Sequence, residues 1–94
     1  MKNLAAVDAA TKIHALYAPG TLVDTHQFER DAMAQCPDEF MQDFLAYNCD
    51  LTTFSRDFSL WIRNNWSSFV ADNGKKTSAN LRGTNSENHN WKII

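Results

Sequence analysis

The chain is poor in the residues that build most catalytic and metal sites. It has three glycines, two prolines and two cysteines. No glycine belongs to a GxGxxG or Walker-type array, so there is no phosphate cradle. Cys36 and Cys49 stand alone, without the tight CxxC or HExxH pairs of zinc sites. Long apolar runs are missing, whereas a spanning helix needs roughly twenty apolar residues. Asp8 and Lys12 interrupt the N-terminal segment, which therefore lacks a signal-peptide apolar region. These absences predict a cytoplasmic protein with no membrane contact and no cofactor.

Aromatic residues are plentiful, and they are concentrated. Phe54, Phe58, Trp61, Trp66 and Phe69 fall within sixteen positions. With Leu51 and Ile62 they recur at spacings of three and four, covering a helical arc of roughly 140°. This predicts a long amphipathic helix over 51–71, capped by Asp50 or Thr52 and stopped at Asn73-Gly74. Three further helices follow from local signals. Alanine-rich 3–18 carries Leu4, Val7, Ala10 and Ile13 on one stripe and ends at Pro19-Gly20. The segment 25–35 starts at an Asp24 cap, with Gln27 three residues on. A third segment starts at Pro37, with Asp38 and Glu39 in its first turn, and runs to a break at 48–50. No alternating run is long enough to predict a strand. The expected fold is all-α, a compact bundle of about four helices over residues 1–73.

Charge is divided unevenly. Residues 1–73 carry five Lys/Arg against ten Asp/Glu, and residues 74–94 carry four against Glu87 alone. The segment 74–90 is polar, with Ala79 and Leu81 as its only apolar side chains, and reads as a flexible basic tail. The last four residues, Trp91-Lys92-Ile93-Ile94, are apolar again and should dock on the body or on a partner. The Cys36–Cys49 pair is expected to stay unbridged, because a helix over 37–48 separates the Cα atoms by roughly 20 Å, while a disulfide needs about 7 Å or less.

Candidate chemistry is thin. Asp24 and His26, with Glu29 or Asp31 on the following helix, could supply metal ligands, but helix capping by Asp24 and an exposed His26 explain them as well. Cys36 precedes a helix whose dipole could activate a thiol, yet Asp38 and Glu39 oppose a thiolate. A helix-turn-helix over 25–48 would present Asp38, Glu39, Gln42 and Asp43 to phosphate, so nucleic acid is an unlikely partner. The Asn65-Trp66-Ser67 sequon lies inside a predicted helix of a chain without a signal.

The remaining signal is the aromatic face. Its middle is expected to be core, and its edges to meet another protein, because Trp and other aromatics are enriched at interface centres. The expected interface residues are Trp61 and Trp66 at the edges of the long helix's face, Asn65 in its middle, where an amide needs a hydrogen-bond partner, and Trp91, Ile93 and Ile94 at the end. The expected function is non-enzymatic: a small protein that binds another protein, or a second copy of itself, in the manner of phage or mobile-element modulators. The alternative is a nucleic-acid-binding or transcription-regulating helical protein.

Overall fold

A computed structural model describes residues 1–75 and 88–94. Five helices run α1 (Lys2–Ala6), α2 (Ala9–His14), α3 (Thr25–Gln35), α4 (Pro37–Leu45) and α5 (Leu51–Asn65). Three strands, β1 (Leu22–Asp24), β2 (Val70–Lys75) and β3 (His89–Ile93), form an antiparallel sheet in the order β1-β3-β2. The all-α helical bundle is therefore overturned: the fold mixes helices with a sheet. No helix among the described residues is long and apolar enough to cross a membrane.

The helical part follows local rules. Asp24 caps α3 by accepting from Gln27 N at 2.8 Å, and Pro37 opens α4. Asp50 caps α5 by accepting from Thr52 N at 3.1 Å and Thr53 N at 3.4 Å. The turn before it holds Asn48 and Cys49 at φ 54° and 56°. Two helices depart from expectation. The alanine-rich segment is broken at Asp8, which adopts φ 52° and caps α2 instead of continuing one helix. The break lets α1 turn its N-terminus onto α4, where Asp43 accepts from Asn3 N at 3.0 Å and Leu4 N at 2.8 Å. The long helix ends at Asn65, not at 71. Asn64, Asn65, Ser67 and Ser68 are weak helix formers, and Val70 starts β2.

Asp43 is 3% exposed and satisfies helix-end N–H groups that have no intrahelical acceptor. Asp43→Ala is expected to cost about 1–3 kcal/mol, the penalty for stranding buried donors. Urea denaturation measures it, and an unchanged midpoint would show that water replaces the carboxylate there.

The apolar end of the expected tail enters the sheet. β3 is its central strand, pairing Val23 with Trp91 on one side and Val70 with Ile93 on the other. Its side chains alternate, with His89, Trp91 and Ile93 buried and Lys92 exposed. The residues 76–87, also expected in the tail, lie outside the described residues.

The core joins both parts. Phe54 makes ring contacts with Phe40, Phe44, Tyr47 and Phe58, and Trp66 packs edge-on against Phe28 at 5.3 Å. One hydroxyl organises the junction of helices and sheet. Thr25 Oγ1 accepts from Trp91 Nε1 at 2.9 Å and from His89 N at 3.2 Å, and lies 2.8 Å from Ser59 Oγ. Both lone pairs are thereby used, so the Thr25 proton is directed to Ser59.

Candidate interaction cleft and polar seam

On α5, Trp61 and Asn65 stand one turn apart, and Trp66 follows at the helix cap. The Trp61 ring meets Trp66 edge-on at 5.4 Å and Phe58 at 5.7 Å. Trp66 is 1% exposed, whereas Trp61 is half-buried. The expected hydrogen-bond partner of Asn65 is local: its Nδ2 donates to Trp61 O at 2.9 Å, and the residue is exposed.

These three residues line one cleft of about 150 Å³ with Ala5, Asp8, Ala9 and Ala10. The alanines keep the α1–α2 wall low. The left-handed turn at Asp8 brings a carboxylate to the rim, where it accepts from Thr11 N at 3.4 Å. Trp66 Nε1 is buried without an acceptor. The cleft can therefore offer indole surface, one carboxylate and an amide to a side chain from outside.

The other expected interface residues lie elsewhere. Trp91 and Ile93 are 1% and 2% exposed in the central strand, so the apolar end of the chain docks on its own body. Ile94 is exposed, with its carbonyl accepting from His14 Nε2 at 3.0 Å and its N–H donating to Phe69 O at 2.9 Å. Sequence reasoning missed Asp8, because an aspartate within an alanine-rich stripe reads as a solvated helical residue. Its helix-capping spacing to Thr11 was the available signal.

A second constellation lies at the seam of α3 and α5. His26 Nδ1 donates to Glu29 Oε1 at 2.6 Å, and Ser55 Oγ donates to Glu29, lying 3.1 and 2.9 Å from its two oxygens. The bond to Glu29 raises the His26 pKa above its ordinary value, against the opposing effect of burial. His26 is thus half-buried and paired, not simply exposed in the first turn of the helix. Beside the seam a groove of about 360 Å³ is lined by His26, Glu29, Arg30, Met33, Phe40 and Leu51.

Cys36 is buried and Cys49 exposed, and both are free. Burial pushes the Cys36 thiol up, the direction opposite to nucleophile activation. Among the described residues, no three His, Cys, Asp or Glu side chains gather as metal ligands. No protein-family model matches the chain, and neither curated proteins nor solved structures give a match.

Proposed function

We propose that the protein acts by binding another protein, with the cleft between α5 and the α1–α2 turn as the point of contact. The observation that carries this reading is the position of Trp61. A large aromatic ring, packed on one side against Phe58 and Trp66, stays partly exposed in a cleft that Asp8 also lines. Tryptophan in such a place is the commonest kind of interface hot spot. The partner side chain that complements it is a lysine or arginine. The indole faces attract a cation, and Asp8 can pair with it. The excess of acidic residues over 1–73 favours encounter with a basic surface. The compartment we propose for this binding is the cytoplasm, the one the sequence leads us to expect.

The test is comparative capture. Wild-type protein and the Trp61→Ala and Asp8→Asn variants are immobilised, and bound proteins are quantified by mass spectrometry. Both variants are expected to lose at least about tenfold in capture of the same species, the size of an interface hot-spot effect. Elution of the wild type as a dimer that Trp61→Ala dissolves would identify a second copy as the partner. Equal capture by wild type and Trp61→Ala would sink the reading.

A further inference from the structure

The seam of α3 and α5 contains an ionisable cluster that contact through the Trp61 cleft leaves unused. Glu29 is 5% exposed. Its oxygens are taken by Ser55 Oγ and His26 Nδ1. Because Nδ1 donates to the carboxylate, Nε2 is the atom of the His26 ring that changes with protonation. It is buried and has no partner. Arg30 is four residues beyond His26 on the same helical face. Its Nε and Nη2 donate to the neutral Gln27 Oε1 at 3.1 and 3.0 Å. Among the described residues, no carboxylate forms an ion pair with it.

The same face continues one turn to Met33, which is half exposed, and Leu51 stands across the groove with Phe40 beneath. The groove therefore has two characters. Its polar lining is Arg30 and His26, beside Glu29, whose charge its neighbours already engage. Its apolar lining is thioether, phenyl and isobutyl, from Met33, Phe40 and Leu51. Its volume of about 360 Å³ falls within the range of small-molecule sites. A single negative charge on an apolar body complements both.

We propose that this groove binds a small carboxylic acid with an apolar body, the carboxylate at Arg30 and the body against Met33, Phe40 and Leu51. In the imidazolium form His26 Nε2 is a second donor without a partner, and the bound carboxylate accepts from it once the exposed Arg30 and Met33 side chains open slightly. Glu29 and Ser55 are positioning residues: they hold the imidazole with Nε2 free. This site is separate from the Trp61 cleft and stands or falls independently of it.

The probe is sodium octanoate, titrated into 15N-labelled protein and followed by amide chemical shifts. Saturable shifts are expected in α3 and the first turns of α5, with half-saturation in the millimolar range or below. Octanol, which lacks the charge, and acetate, which lacks the body, are each expected to bind at least tenfold more weakly. Arg30→Gln changes an exposed residue and should weaken octanoate at least tenfold while leaving the spectrum otherwise native. Trp61→Ala should leave octanoate binding unchanged. The proposal is overturned by non-saturable shifts, by equal binding of octanol, or by full affinity in Arg30→Gln. It is also overturned if a peptide with a free C-terminal leucine saturates the groove and octanoate does not.

Discussion

A chain cut after Gly74 is expected not to fold. The cut removes β3, the strand that both β1 and β2 hydrogen-bond to. Without it neither remaining strand has a partner, and the Val23 and Val70 side chains lose the cover of Trp91 and Ile93. The single substitution Trp91→Ala tests the same point more gently. It deletes a fully buried indole and leaves the Thr25 hydroxyl with one donor fewer. Its cost is expected at about 3–5 kcal/mol, a large part of the 5–15 kcal/mol that holds a typical domain together. Urea denaturation of the variant and circular dichroism of the shortened chain measure the two effects. A cooperative melt of the fragment ending at Gly74 would show that the helices form an independent unit and that the sheet is an accessory.

Trp66 and Trp61 are expected to separate stability from binding. Both lie in the aromatic run of α5 and its cap, and both line the cleft, but they differ in what surrounds them. The Trp66 ring contacts Phe28, Phe58 and Trp61 and is fully buried. Trp66→Ala should therefore act as a core truncation, costing about 3–5 kcal/mol. Trp61 is half-buried at the cleft rim, so Trp61→Ala should cost less stability while removing about 2 kcal/mol or more of partner affinity. Chemical denaturation and a binding assay on the same two variants decide it. If Trp61→Ala unfolds as readily as Trp66→Ala, and binding falls only in proportion to the folded fraction, the aromatic face is all core.

What the sequence made legible was what is decided within a few residues. The Asp24 and Asp50 caps, Pro37 at the start of α4 and the turn at 48–50 are each set by local hydrogen bonding or backbone preference. The strands were hidden for the opposite reason. β1 has three residues, too few for an alternating pattern to stand out. β3 does alternate His89, Trp91 and Ile93, but its partners lie far away in sequence. Next to a polar stretch it read as the end of a tail. The helix break at Asp8 had one local cue, the capping spacing to Thr11; what fixes it further is Asp43, across the fold.

The candidate site divides in the same way. Trp61 and Asn65 meet because helical spacing puts them one turn apart, and Trp66 joins them where α5 ends. Asp8, which lines the same cleft, comes from another element, and Trp91 and Ile93, also expected at an interface, lie buried in β3. At the seam, the His26–Glu29 spacing of three residues was visible in the chain, while Ser55, which completes the cluster, comes from a different helix.

The placement of β3 between β1 and β2 also orders events during folding. Leu22 meets Lys92 across 70 residues of chain, whereas α3 and α4 are neighbours in sequence and pack at once. Contacts of long separation carry the loop-closure cost before they return any stabilisation, so they form late. The sheet is therefore expected to close last, and the helices, which are not expected to hold without β3, stay incompletely packed until it does. During that interval Trp91 and Ile93 are uncovered, and β1 and β2 present unpaired edges, the surfaces through which chains associate wrongly. Slower closure of the sheet is then expected to lower the concentration at which the protein refolds without aggregating.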